Sequence, residues 1–223
     1  MTTPPLANAR SGQLGIYARA AIALLLAASM FAWVLFHGVP LLRSDLISLQ
    51  ARNQTNEWAT AGQGWSVESW QSARQNLQAA LVIAPDDPVL HVTLAQLYVT
   101  QGLVAWADLE QRTAYFEEAL VHQQQALALR PTDGTTWASV AVSLFAAGRP
   151  LPEMQQAWAQ ATVFAPKEAP VQVALFDLAL ATWAQATPGM QAWVKGTWQE
   201  AGPARKKQFE AIADRHGQAE VFR

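Results

Sequence analysis

A chain of 223 residues that is 51% apolar and 14% charged is sparing of charge, and its formal net charge is −2. Residues 1–52 sum to +3 and the remaining residues to −5, so the body lacks the basic face that phosphate contacts need, which excludes a nucleic-acid partner. With no cysteine present, disulfides, thiolate metal sites and thiol nucleophiles are excluded together.

Residues 1–18 form a short N-terminal tail ahead of "AAIALLLAASMFAWVLFHGVPLL", which holds 23 residues between Arg19 and Arg43 with no formal charge, His37 counted as neutral. At a rise of ~1.5 Å per residue such a helix extends about 34 Å, enough to cross a hydrocarbon core of about 30 Å. The run therefore predicts a transmembrane helix over 19–42, because backbone amides in lipid must be satisfied within the segment. Pro40 is expected where the helix leaves the bilayer. Cleavage as a signal peptide near Ala27 and Ser29 would leave "MFAWVLF" as a new terminus, so an uncleaved anchor is expected. Arg10, Arg19 and the amino terminus flank one side; Arg43 and Arg52 flank the other. This slight bias, with a short tail and a large body, implies a cytoplasmic N-terminus and a single pass through the inner membrane, with a periplasmic body.

Residues 43–66 mix Ser, Gln, Asn, Thr and Gly around scattered apolar positions. They read as a spacer with helix around Leu46–Arg52. Asn53-Gln54-Thr55 matches the glycosylation sequon, a pattern that recurs by chance.

Residues 67–187 repeat. Aligned on Pro85, Pro131 and Pro166, the positions five before are Ala80, Ala126 and Ala161. Eight before stand Leu77, Gln123 and Trp158, and twelve before stand Ala73, Ala119 and Met154. Six after the first two prolines come His91 and Trp137, and seventeen after come Gly102 and Gly148. The pattern resembles the tetratricopeptide repeat, a helix–turn–helix unit of 34 residues. Small residues let paired helices approach, glycine ends a first helix, and proline ends a second. Asp86, Asp87 and Asp133 are placed to cap the helices that follow.

The first interval exceeds the repeat by 12 residues, all between Gly102 and Ala119. Asp108 with Gln111 predicts a helix start there and a helix running to about Leu129. "LVAWADLEQRTAYFEE" then reads as an extended helix and loop projecting from one edge, which makes its aromatics, Trp106 and Tyr115, candidate partner-binding residues. The alternative is that they fold back onto a neighbouring helix. Residues 188–223 hold an amphipathic stretch, 188–201, and a last helix from Pro203 to about His216 with Gly217 as stop. These two helices cap one end of the stack, and Trp58 to Trp70 cap the other.

Chemistry is sparse. The histidines at 37, 91, 122 and 216 form no i, i+4 pair and no HExxH, so no metal site is expected. No phosphate loop, nucleophile elbow or dinucleotide fingerprint occurs, so no catalytic residue and no cofactor is expected, and the chain reads as a non-enzyme. Arg205-Lys206-Lys207 occupies a first helical turn, against the dipole, and reads as a solvated face ahead of an acidic-partner or lipid contact. Trp137, Trp158 and Trp183 fall at repeat positions and are expected in the core. The predicted fold is all-α, an N-terminal transmembrane helix followed by a tetratricopeptide-like helix-pair solenoid.

Beyond the generic repeat, the block from Ala126 to Trp137 ("ALALRPTDGTTW"), the block from Ala161 to Val171 ("ATVFAPKEAPV") and the closing Leu180-x-x-Trp183 resemble the membrane-anchored VpsP-like family encoded with bacterial exopolysaccharide machinery. Gln123 departs from that pattern, where an apolar or aromatic residue is usual. The resemblance implies a scaffold that binds polysaccharide polymerase or export components at the membrane, with no catalytic residues to carry over. A different expectation on the same body plan is an assembly chaperone of a cytochrome-maturation or secretion apparatus.

Overall fold

The computed structural model describes residues 7–62 and 64–222, and the side chains of these except residues 7–18 and Trp106. All elements among the described residues are helical. The first, α1 (Ala7–Ala61), is 55 residues long and contains Pro40. Its part from Arg19 is long and apolar enough to cross a membrane, and the apolar window is unburied by the rest of the chain.

α1 continues past Pro40, where it is expected to leave the bilayer, and runs through most of the expected spacer to Ala61. Its second half is held by packing. Ser44, Ser48, Ala51, Thr55 and Trp58, spaced in steps of four and three, are all buried. The small hydroxyls that read as spacer composition instead satisfy themselves on backbone. Ser48 Oγ donates to the Ser44 carbonyl at 2.9 Å, and Thr55 Oγ1 to the Ala51 carbonyl at 2.8 Å. Polar atoms bonded in this way leave a smooth seam that another helix can approach closely. That helix is α2 (Val67–Ile83), begun by a reciprocal Ser66–Ser69 capping box. It runs antiparallel to α1: Ser44 Oγ donates to the Ala80 carbonyl at 3.1 Å, while Trp58 meets Trp65 at the other end with centroids 5.9 Å apart. The sequon threonine, Thr55, therefore lies within a packed helix.

Seven helices follow: α3 (Pro88–Val104), α4 (Leu109–Leu129), α5 (Gly134–Ala146), α6 (Leu151–Phe164), α7 (Ala169–Ala181), α8 (Pro188–Glu200) and α9 (Pro203–Arg215). Neighbours in sequence pack on one another from α1 to α6, α1 also touches α3, and α5 touches α7. Three turns share one construction. The residue before each proline donates its N–H back to Ala80, Ala126 or Ala161 at 2.8–2.9 Å. The position two after the proline is the next N-cap: Asp87, Asp133 and Glu168. Asp87 and Asp133 accept first-turn amides, as predicted. The position six after donates a side-chain N–H to that proline's own carbonyl: His91 Nε2 at 3.1 Å, Trp137 Nε1 at 2.8 Å and Gln172 Nε2 at 2.9 Å. A proline carbonyl needs a partner because it has left the helix ladder, and a planar N–H about one turn into the next helix reaches it.

The two glycines expected to end first helices behave differently. Gly148 has φ +71, and Arg149 N–H reaches the Leu144 carbonyl at 2.9 Å while Gly148 N–H reaches Phe145 at 3.0 Å, a Schellman stop. Gly102 lies inside α3 and leaves room for Phe116: a Cβ there would stand 2.9 Å from that buried ring. The extra residues form the extended helix that the sequence predicts, and the loop beside it is short. They lengthen α3 and α4, joined by a short 3-10 turn over Ala105–Ala107, and Asp108 caps α4 through the Gln111 amide as predicted.

Buried apolar residues form two clusters, one on α1–α4 and the other on α4–α9, that share α4. Ala119 faces the first and Leu120 the second. At the C-terminal end Phe176 stacks on Phe209 at 4.0 Å, and Phe222 stacks on Phe176 and Trp198. Gly217, φ +65, terminates α9 after His216. Of the three tryptophans expected in the core, Trp158 is buried, whereas Trp137 and Trp183 are half-buried at its margin. Arg205 donates to Gln172 Oε1 at 2.8 Å and Lys206 lies over the Trp198 ring at 4.7 Å, leaving Lys207 on the exposed face.

Candidate functional site

The first helices of successive pairs, α3, α5 and α7, line one groove. Its walls are Gln96 and Val99 from α3, Ser139 and Val142 from α5, and Pro170 and Ala174 from α7, around a cavity of about 240 Å³. Counted from the preceding prolines, these positions recur: Thr135 and Pro170 at four, Ser139 and Ala174 at eight, Gln96 and Val142 at eleven. Spacings of four and three select one helical face. That face is small and uncharged. Only amide and hydroxyl groups supply polarity, so the groove can hold an uncharged segment through apolar contact and hydrogen bonds, and it offers no anchor for phosphate or carboxylate.

A recess of about 70 Å³ adjoins the groove, lined by Gln96, Thr135, Ser139 and, from α4, Gln123. Gln123 is 2% exposed. Its Nε2 donates to Ser143 Oγ at 3.0 Å, while Oε1 has no partner. A buried amide oxygen without a donor is costly to keep, by roughly 1–3 kcal/mol, unless something fills the recess. The residue singled out in the sequence for departing from pattern is thus the polar floor of the recess.

A second polar cluster joins α3 to α4. His91 Nε2 is occupied by the Pro85 carbonyl, so its Nδ1 is an acceptor, and His122 Nδ1–H donates to it at 3.2 Å. Tyr98 stacks on His122 at 5.9 Å between centroids. Burial, then the nearby His91, pushes His122 down to about 4, so the His122 ring is neutral at pH 7. Sequence spacing missed this pair because its members are 31 residues apart on different helices. Two imidazole nitrogens are what the pair offers a metal, and no group of three or more His, Asp or Glu converges among the described residues.

The aromatic candidates of the insertion separate. Tyr115 is half-buried and meets Trp70 edge-on at 5.9 Å, so it packs on α2. Trp106 stands in the 3-10 turn, and its side chain lies outside the described residues. Asp86 and Asp87, adjacent carboxylates, sit in the α2–α3 turn, where Asp87 accepts the Val89 amide at 2.8 Å. No protein-family model matches the chain, and a search of curated proteins returns no similar sequence.

Proposed function

We propose that this chain is a single-pass membrane protein whose body is a tetratricopeptide-like scaffold, holding partner proteins in bacterial exopolysaccharide biosynthesis or export. The observation that carries the scaffold reading is the turn built three times, with prolines 85, 131 and 166 each followed by an N-cap and a returning side-chain N–H. Repetition of that turn stacks helix pairs and aligns their first helices into the uncharged groove. Such a surface suits an apolar, uncharged helix or extended peptide better than a small polar substrate. The length and apolar composition of α1 support a membrane anchor, and the slight bias of arginine toward its N-terminal flank, with the large body beyond it, supports an inner-membrane placement with the body in the periplasm. Anchorage raises the effective concentration of membrane-bound partners and is the mechanism by which a weak groove contact becomes productive. The assignment to polysaccharide assembly rests on the family resemblance of the blocks around Pro131 and Pro166.

Photocrosslinking in intact cells tests the proposal. A photoreactive residue at Gln96, Val99 or Ser139 is expected to capture polysaccharide polymerase or export components, whereas the same residue at exposed Val121 is not. Recovery of haem-lyase or secretin components instead would refute the polysaccharide assignment. A topology reporter fused after Arg223 should read periplasmic, and a cytoplasmic signal would refute the placement of the body.

A further inference from the structure

The antiparallel packing fixes which end of the body lies nearest the apolar run of α1. Ser44 is paired with Ala80 and Trp58 with Trp65, so α2 climbs back beside α1 residue for residue. Two residues past Ala80 comes Val82, which is thereby level with Leu42, the last residue of the uncharged run. Val82 is 84% exposed, more than Phe36 at 77% within the apolar run itself. The same end carries the C-termini of α4 and α6, because helices alternate in direction: Leu129 there is 39% exposed, and Val163 is 68% exposed. His91 with His122 and Gly134 with Phe164 tie those helix ends to the same side.

We infer that this end of the stack, with Val82 at its tip, rests in the interface of the bilayer that α1 crosses. The inference rests on the membrane reading of α1 and adds to it that the body lies against the lipid and does not hang from a tether. A bilayer is the occupant because the register places Val82 at the depth of residues that α1 commits to lipid. Nor is there slack to move it away, since the helix is unbroken from the apolar run to Ala61. Charge agrees with an apolar attraction. Asp86, Asp87, Asp133 and Glu168 at this end stand against Arg43, Arg130, Lys167 and, through its bond to Gln172, Arg205, so the charge is mixed and anionic lipid is not required. The opposite end, where Leu103 is 54% exposed, stands about 28 Å further from the bilayer, the length of α1 from Leu42 to Ala61 at ~1.5 Å per residue.

The chain has no cysteine, so single-cysteine variants label at one place. Full-length Phe31→Cys, Val82→Cys and Leu103→Cys would each carry an environment-sensitive fluorophore in phosphatidylcholine vesicles with and without bromine on the acyl chains. The expected result is strong quenching at position 31. Quenching at position 82 should be at least about twofold that at position 103, because an interfacial residue sits roughly 5–10 Å into the acyl boundary. Equal quenching at 82 and 103, with 31 quenched, overturns the inference and leaves this edge to a protein partner. Absence of quenching at 31 overturns the membrane reading itself, so the two failures are told apart. Hydrogen exchange of the unsubstituted chain gives a label-free check: residues 81–87 should be protected in vesicles relative to 105–108, and equal exchange counts against the inference.

Discussion

Replacing Gly134 with alanine should destabilise the body, against the usual benefit of that substitution in a helix. Gly134 opens α5 directly after its cap, Asp133, and is buried against the end of α6. A Cβ built there would stand 2.5 Å from Ala165 Cβ, 2.6 Å from Ala165 N and 2.9 Å from Phe164 C. Two of these are backbone atoms that no rotamer change can withdraw, so α5 and α6 must separate. Overpacking of this kind costs about 1–3 kcal/mol. The shift also disturbs Asp133, which caps both the Thr135 and Thr136 amides at 3.1 Å, a contact worth about 1 kcal/mol. Against this stands a gain of at most about 1 kcal/mol from helix propensity. The net loss is about 2 kcal/mol, or roughly 4–8 °C of melting temperature for a chain of this size. Thermal unfolding followed by far-ultraviolet circular dichroism in detergent reads it. Gly196→Ala in α8 is the matched control, because nothing lies within 4 Å of its Cβ position, and it should raise the midpoint. A Gly134→Ala protein that melts at or above the unsubstituted midpoint would refute the close approach on which the turn geometry depends.

Three further outcomes follow from the polar groups. The double variant Gln123→Leu with Ser143→Ala should stabilise the body by about 0.5–1 kcal/mol in urea titration, because it removes the buried oxygen without a donor together with both ends of the 3.0 Å bond; a loss of stability would mean the oxygen has a partner in solution. Trp137→Phe should cost about 1 kcal/mol by leaving the Pro131 carbonyl without its 2.8 Å donor, and an unchanged urea midpoint would dissociate that bond from repeat stability. His122 is held at about 4 in the folded chain against 6.5 ordinarily, so the unfolded chain takes up the proton first. Stability is full above about pH 6.5 and is lost as pH falls toward 4, by on the order of 1–2 kcal/mol after allowance for the ring's partial exposure. His122→Asn should flatten that part of the slope, and an unchanged slope between pH 6.5 and 4.5 would deny the ring its role.

The turns were legible in sequence because they are built from residues with strong local rules. Proline cannot continue a helix, an aspartate two residues later accepts first-turn amides, and glycine takes the left-handed stop at 148 and 217. Legibility failed where a residue's meaning depends on what lies opposite. Gly102 reads as a stop in a list of offsets, yet Phe116 across the helix pair requires its missing Cβ. Ser44, Ser48 and Thr55 read as polar spacer, yet their hydroxyls bond to backbone and leave a face that α2 can pack against. The groove was legible in principle as the uncharged face at four, eight and eleven residues past each proline, but those positions carry no conspicuous residue type. The His91–His122 contact had no local signal, since only the packing of α3 on α4 brings the rings together.

The continuity of α1 changes where the body begins, and a pair of truncations puts that to measurement. Residues 44–61 bury Ser44, Ser48, Ala51, Thr55 and Trp58 on α2 and α3, so they are the first helix of the stack as much as the continuation of the apolar run. A protein starting at Ser66 would lose Trp58 and uncover the facing surface around Ala73, Leu77 and Ala80, each at most 1% exposed in the intact chain. Loss of burial equivalent to two large side chains is about 3–6 kcal/mol, a large part of the roughly 5–15 kcal/mol that holds a domain folded. The 66–223 protein should therefore melt at a much lower temperature and self-associate through the bared face of α2, whereas 44–223, which keeps the helix but not the apolar run, should unfold cooperatively as a soluble monomer. Midpoints by circular dichroism and mass by light scattering decide between them. Equal midpoints for the two proteins would show that the packed half of α1 contributes nothing to the body, and with it would fall the rigid connection between the stack and the apolar run.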